Sequence, residues 1–285
     1  MFKILASALL LLFVSTNSFA ESTATTIRKN AISLDHDDLV RIFPAVSKFK
    51  FVTVGEMHGS RETPRFVGDL FELFRAQKKT VILGLEVPQG DQPLIDKFIQ
   101  SKDRSVLKAS SFFVRSYQDG RSSEAMVALL ENLPKDAVVV CFDSPTSSSG
   151  QERDKEMAEN LIRAYQRYRP ETFIILAGNV HSSIEIGNSF DPKYQPMSYL
   201  LHALPHSPIQ INDIRAIRIR YAGGSIWACM GTSEADCKIQ QLKSPPSAYG
   251  QAVSYGKYFL LESLGGGYNA TLFFRSLTAS PPAFK

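Results

Sequence analysis

The chain has 285 residues, of which 44% are hydrophobic and 21% are charged, and its formal net charge is +4. This composition is typical of a folded globular protein and excludes a disordered chain. So small a net charge over this length does not indicate a nucleic-acid-binding surface. Three cysteines are too few for a fold built on disulfides, and the length is enough for an ample hydrophobic core.

Residues 1–20 have the pattern of a secretory signal peptide. Lys3 supplies the charged start, an apolar run covers residues 4–14, and Ala20 ends a small-x-small cleavage site. The run of eleven apolar residues is too short to cross a bilayer as a helix. We therefore expect cleavage near Ala20, export to the periplasm or the medium, and no membrane span in residues 21–285. The oligomeric state stays open.

The elements predicted in chain order alternate between strands and helices. A polar N-terminal arm with a short helix covers residues 21–48. Four short apolar, β-branched runs are typical of buried strands, and the segments between them have helical spacing. The predicted strands are 49–54, 80–85, 137–142 and 172–177. One predicted helix has Thr63 as its N-cap and Pro64 as its first residue, and the others cover 93–100, 106–113, 123–133 and 151–168. This order predicts an α/β fold with a parallel β-sheet core flanked by helices.

The last third of the chain has a different pattern. Residues 214–221 alternate between apolar and basic side chains, and a Gly223-Gly224 turn precedes a run at 225–230. Residues 255–262 and 270–275 are further strand candidates. We expect antiparallel strands here, added beside the parallel core. The predicted organisation is one domain over 49–285, with its core at 49–205 and an antiparallel extension at 206–285.

Polar or ionisable side chains stand where each predicted parallel strand ends. Glu56 and His58 follow the first strand, Glu86 ends the second, Asp143 follows the third, and His181 follows the fourth. In open α/β sheets, ligands bind outside the carboxyl ends of the strands. Histidines and carboxylates gathered there are typical of general acid/base chemistry or of a divalent metal site. Asp143, which precedes Ser-Pro, has a turn as its simpler explanation.

Two Gly-x-x-His motifs, Gly55–His58 and Gly178–His181, flank the strand that ends at Glu86. In this order and placement they resemble the Tiki/TraB–ChaN–erythromycin esterase superfamily. The Gly-Glu-x-His form of the first motif is most similar to the ChaN-like branch, which is associated with haem-binding uptake. The resemblance covers about residues 49–205. It carries Glu56, His58, Glu86 and His181 over as site residues, matches Arg65 to an arginine of the esterases, and relates the helix start at Arg153 to the family's helix before the last core strand.

What the resemblance implies for function is divided. Tiki proteins are metal-dependent proteases, erythromycin esterases use a histidine base without a required metal, and ChaN-like proteins bind haem. One expectation is therefore an exported hydrolase of ester or amide bonds, with a small-molecule or peptide substrate. The others are a haem or iron carrier and a binding module without turnover. For haem the available axial ligands are Met57, Tyr117, Tyr165, Tyr168 and Tyr199.

Two mechanisms fit these residues. In the first, His58 and His181 share a divalent metal (Mn, Zn or Fe) with Glu56 or Glu86, and the metal activates water. In the second, His58 is a general base on water and Glu86 orients it. Arg65 or Arg153 is the candidate for stabilising the oxyanion in both.

Three further features have structural explanations. Cys229 and Cys237 are expected to form a disulfide, because an exported chain meets oxidising conditions, and Cys141 is expected to be a buried free thiol. Asp119 and Arg121 stand in a turn before a helix cap, and a substrate contact there is the alternative.

Overall fold

A computed structural model describes residues 32–33, 39–243, 258–260 and 266–284. The predicted signal peptide and most of the N-terminal arm lie outside these residues. The described strands are β1 Ile32–Ser33, β2 Phe51–Glu56, β3 Val81–Pro88, β4 Val139–Asp143, β5 Thr172–Gly178, β6 Ile214–Tyr221, β7 Gly224–Cys229, β8 Cys237–Leu242, β9 Tyr258–Leu260 and β10 Ala270–Phe274. The described α-helices are α1 Phe43–Val46, α2 Glu62–Ala76, α3 Gln92–Ser101, α4 Ser111–Val114, α5 Glu124–Asn132, α6 Gly150–Tyr168 and α7 Met197–Ala203.

The main sheet has the strand order β1-β9-β10-β6-β2-β5-β3-β4. Its six strands from β10 to β4 run parallel to their neighbours, and β9 and β1 are antiparallel additions at one edge. Strands β7 and β8 form a separate antiparallel hairpin. The predicted fold class, a parallel core flanked by helices with added antiparallel strands, is confirmed.

The structure corrects where the antiparallel strands lie. Residues 214–221 and 270–274, which we expected in the antiparallel extension, are parallel members of the main sheet. Alternation in β6 predicted an antiparallel strand, but β6 is parallel to both of its neighbours, and two of its basic side chains lie against aromatic rings. The Arg215 guanidinium is 4.1 Å from the centre of the Phe49 ring, and that of Arg218 is 5.4 Å from that of Tyr268. The division into core and extension stays a prediction.

Helices cover both faces of the sheet because each buries one apolar stripe. Helix α2 buries residues at helical spacing against one face, among them Phe66, Leu70 and Phe74. Helix α6 buries Met157 and Leu161 against the opposite face.

The start of α2 differs from the prediction. Thr63 does not cap this helix but lies inside it, because α2 begins one residue earlier, at Glu62. The hydroxyl of Thr63 is 3.0 Å from that of Ser60, and both side chains are buried. The polar character of Thr63 therefore serves a contact with the preceding loop rather than a helix cap.

The cysteines are arranged as predicted. Cys229 and Cys237 form a disulfide that closes the β7–β8 hairpin, and Cys141 is a buried free thiol in β4. In the part of the chain that the structure describes, no helix is long and apolar enough to cross a membrane.

Gly120 permits a close approach of two loops beside the carboxyl end of β2. Its φ is +99°, and a Cβ at this position would lie 2.6 Å from the backbone nitrogen of Gly59. Residues other than glycine are strained at such a φ. The added Cβ would also collide with backbone atoms, which cannot rotate away as a flexible side chain can.

We therefore expect Gly120→Ala to lower the free energy of unfolding by about 1–3 kcal/mol or more, measured by denaturant titration. Gly90→Ala is the matched control, because a Cβ there meets nothing within 4 Å. Equal stability of the two variants would contradict the close approach of these loops.

Candidate active site

The ionisable residues predicted at the strand ends do meet at one edge of the sheet. Glu56 is the last residue of β2, Glu86 lies near the end of β3, and Asp143 ends β4; all three side chains are buried. Glu56 pairs in register with Gly178, the last residue of β5, which brings the two Gly-x-x-His motifs side by side. We call Glu56, His58, Glu86, Asp143 and His181 the strand-end site.

Glu86 is at the centre of this site. Its Oε2 accepts a hydrogen bond from the backbone N–H of Gly178 at 2.8 Å, and its Oε1 accepts from Arg121 at 3.1 Å and Arg153 at 2.8 Å. Burial raises the pKa of Glu86, but the nearby histidines and the two arginines outweigh burial and hold the pKa well below its usual value. Glu86 is therefore an ionised carboxylate at neutral pH.

The two arginines also bind Asp143 and so join two carboxylates. Arg153 Nε donates to Asp143 Oδ1 at 2.7 Å, and Arg121 Nη1 donates to Oδ2 at 2.9 Å. Arg121 is held from its other side by Asp119, at 2.8 Å from Nη2 to Oδ2. Burial raises the pKa of Asp119, but Arg121 and its other charged neighbours lower it to about 2. The guanidinium groups of Arg121 and Arg153 are thus both hydrogen-bonded to carboxylates.

His58 forms a dyad with Glu56. Its Nδ1 lies 3.0 Å from Glu56 Oε1, and its Nε2 lies 3.6 Å from Glu86 Oε2. A carboxylate accepts hydrogen bonds, so the neutral ring carries its proton on Nδ1 and leaves Nε2 as the basic nitrogen. Burial lowers the pKa of His58, but Glu86 and Glu56 outweigh burial and raise it above its usual value. Glu56 is therefore the hydrogen-bond partner of Nδ1, whereas Glu86, the carboxylate expected to orient the ring, faces Nε2.

His181 has a different carboxylate partner. Its Nδ1 lies 2.8 Å from Asp154 Oδ2, and Asp154 is completely buried at the start of α6. Asp154 also accepts from the backbone N–H of Met197 at 2.6 Å and from the hydroxyl of Tyr194. The Nε2 of His181 lies 3.2 Å from Arg153 Nη1. Burial lowers the pKa of His181, but Glu86 and Asp154 outweigh burial and raise it above its usual value. An Nε2 that accepts from the guanidinium requires the neutral ring.

The structure does not bring Arg65 to this site. It lies on α2 with a side chain that is 70% exposed, and its Nε is 3.8 Å from Asp69 on the same helix. Arg153, at the start of α6, does reach the site, where it donates to Glu86 and Asp143. The residues that sequence reasoning did not place in the site are Asp119, Arg121, Asp154 and Tyr194. In the sequence, the one signal for Asp154 was its position next to Arg153. Asp119 and Arg121 gave no clear signal, because a turn before a helix cap already explained their presence.

A cavity of about 300 Å³ opens over the site. His58 and His181 line it together with Glu56 and Asp119, and the hairpin strand β7 contributes Ile226 and other apolar residues. We call it the strand-end cavity. Its size suits a small reacting group rather than a whole large ligand.

The donor set of the site does not fit a divalent metal. A metal shared by the two histidines would need the Nε2 of His181, and that atom faces the guanidinium of Arg153. Two permanent cations, Arg121 and Arg153, already contact the carboxylate of Glu86. Among the residues that the structure describes, no group of three or more histidine, cysteine, aspartate or glutamate side chains is placed to hold a metal ion.

Comparison with solved structures shows a shared fold at low sequence identity. A protein described as a succinoglycan biosynthesis protein superposes with a TM-score of 0.70 and 10% identity, over 93% of this chain and 99% of that one. The erythromycin esterase EreC, as a mutant in its open conformation, superposes with a TM-score of 0.62 and 11% identity, over 87% of this chain and 97% of its own. The expected resemblance to the erythromycin esterases is therefore confirmed for the fold.

Other comparisons add less. A haem-bound structure of ChaN from Campylobacter jejuni superposes with a TM-score of 0.46 over 72% of this chain. This similarity is too weak to support any functional conclusion. No protein-family model matches the sequence, and no curated protein matches it.

The lowered pKa of Glu86 predicts how stability depends on pH. A carboxylate whose pKa is lowered by folding adds stability above its usual pKa of 4.5, and this stability is lost as the pH falls. We expect the free energy of unfolding to decrease as the pH drops below about 4.5. We also expect Glu86→Gln to cost about 3–5 kcal/mol at neutral pH, because it removes a buried charge that Arg121 and Arg153 share and leaves Asp143 as the one buried carboxylate that contacts both.

Denaturant titrations between pH 3 and pH 7, in roughly unit steps, measure both effects. Glu124→Gln is the control, because Glu124 also pairs with an arginine but is exposed, so its loss should cost less than about 1 kcal/mol. A Glu86 variant as stable as this control would contradict the central role of Glu86.

Proposed function

We propose that this protein hydrolyses esters without a metal, using His58 as a general base on water. The observation that carries the proposal is the Glu56–His58 dyad, which leaves a basic Nε2 at the strand-end cavity. The shared fold with an erythromycin esterase supports an ester as the substrate. Amide hydrolysis is the harder variant of the same chemistry.

The reaction follows from the placement of His58. Its Nε2 takes a proton from water as the water oxygen attacks the carbonyl carbon of the ester. The imidazolium that forms lies between Glu56 and Glu86, whose negative charges stabilise it. His58 then returns the proton to the departing alkoxide, so an ester and water become an acid and an alcohol.

We further propose that the protein acts outside the cytoplasm. The signal-like residues 1–20 and the Cys229–Cys237 disulfide support this location, because disulfides persist in oxidising compartments. A haem carrier gains no specific support, since the strand-end cavity is small and lined by carboxylates that oppose the propionates of haem.

The first test of this proposal removes the base. We expect His58→Gln to lower kcat for p-nitrophenyl butyrate by about 10²–10⁴, because general base catalysis contributes a factor of that order. His206→Gln is the control, since His206 is an exposed histidine away from the strand-end site. Wild-type activity in His58→Gln, with an unchanged thermal unfolding curve, would refute His58 as the base.

A second test uses the pH profile of kcat/KM. Activity requires neutral His58, so it should rise with pH through a midpoint above 6.5, the usual pKa of histidine. Glu56 raises the pKa of His58, so Glu56→Gln should move this midpoint to lower pH and also lower the plateau. A midpoint that stays in place would exclude Glu56 as the partner of the base.

A further inference from the structure

The strand-end cavity has a polar floor and apolar walls. His58 and His181 lie with the carboxylates on the floor, while Ile226 and Ala228 of β7 form one wall. Met57 and Val180, each directly before the histidine of its Gly-x-x-His motif, also line the cavity. Ligand sites commonly combine apolar walls with a few placed polar groups, and the apolar part then binds the non-reacting portion of the ligand.

The apolar surface continues from the cavity to its rim. Met57 and Val180 are both exposed as well as lining the cavity. Ile186 is exposed in a neighbouring depression of about 530 Å³, which shares Asn179 and Val180 with the cavity. Met230, also exposed, is the next residue in the chain after Cys229, which lines the cavity. Exposed apolar residues grouped around a site, rather than scattered singly, mark a binding surface.

The charge of the cavity is the second constraint. Among the described residues that line it, none is a lysine or arginine, whereas Glu56 and Asp119 are acidic. The nearby arginines Arg121 and Arg153 are bound to carboxylates and do not line the cavity. A negatively charged group in this cavity would meet ionised Asp119, and none of the described lysines or arginines lines the cavity to pair with it.

We propose that the substrate is an ester whose group next to the scissile carbonyl is apolar and carries no negative charge. This inference rests on the proposed hydrolysis and names its substrate class. The occupant of the apolar rim is the non-reacting part of that ester, because the rim is continuous with the cavity that holds the base.

The test compares esters that differ in length and charge. For the p-nitrophenyl esters of acetate, butyrate and hexanoate, kcat/KM should rise at least about threefold per added methylene as apolar surface is buried. The hemisuccinate ester, which is anionic, should be at least about tenfold slower than butyrate. A flat series, or faster hydrolysis of the hemisuccinate, would overturn the inference while leaving the hydrolase intact.

Variants of the rim locate the effect. Val180→Ser and Met57→Ser should flatten the dependence on chain length. Ile211→Ser is the matched control, because Ile211 is 40% exposed against 39% for Val180 but lies before β6, at the opposite end of the sheet. An equal change in all three variants would contradict a rim that binds substrate.

A binding measurement tests the apolar site independently of the proposed hydrolysis. If no ester is hydrolysed, the proposed function fails, and calorimetry with hexanamide and hexanoate then tests the surface alone. Preferential binding of the uncharged hexanamide, weakened at least about threefold by Val180→Ser, would support the apolar site. Binding of neither compound, or tighter binding of hexanoate, would overturn it.

Discussion

The buried carboxylate of Glu86 is the constraint on which the rest of the site depends. A charge inside a protein is tolerated only when it is paired and hydrogen-bonded. Its partners come from separate parts of the chain: the end of β5 supplies the N–H of Gly178, the loop before α5 supplies Arg121, and the first turns of α6 supply Arg153. Satisfying Glu86 therefore fixes a strand end, a loop and a helix relative to one another. The site is formed by the folding of these elements rather than by any ligand.

The ion pairs around Glu86 also give the two histidines different surroundings. The two arginines donate to buried carboxylates, so proton transfer is left to the imidazoles. His181 is held by Asp154 through one nitrogen, and its other nitrogen faces a guanidinium. His58 has Glu56 on one nitrogen and the cavity near the other, and Glu56 Oε2 has no hydrogen-bond partner in the described structure. A ring with one nitrogen held and one available is the arrangement that general base catalysis requires.

The sequence made part of this predictable. Parallel strands end at the same edge, so Glu56, His58, Glu86 and His181 were expected to meet there, and they do. The partners that decide their chemistry were not predictable, because Asp154 and Arg121 reach the site through the packing of a helix and a loop. Local reasoning failed for β6 in a similar way: its alternation predicted an antiparallel strand, but β6 is a parallel member of the main sheet, and its Arg215 and Arg218 lie over aromatic rings. Basic residues bury their stems and stack, so they do not by themselves mark a solvated face.

The walls of the strand-end cavity come from a different part of the chain than its floor. The motifs lie between residues 55 and 181, whereas Ile226 and Ala228 belong to the β7–β8 hairpin that the Cys229–Cys237 disulfide closes. Hydrogen bonds from the backbone N–H of Trp227 to Gly59 and from its indole to Gln118 fix this hairpin over the site. Changes in the hairpin would thus alter the walls without moving the strand-end carboxylates and histidines. Because floor and wall can vary separately, a shared fold does not determine which substrate is taken, and the substrate must be argued from the wall residues of each chain.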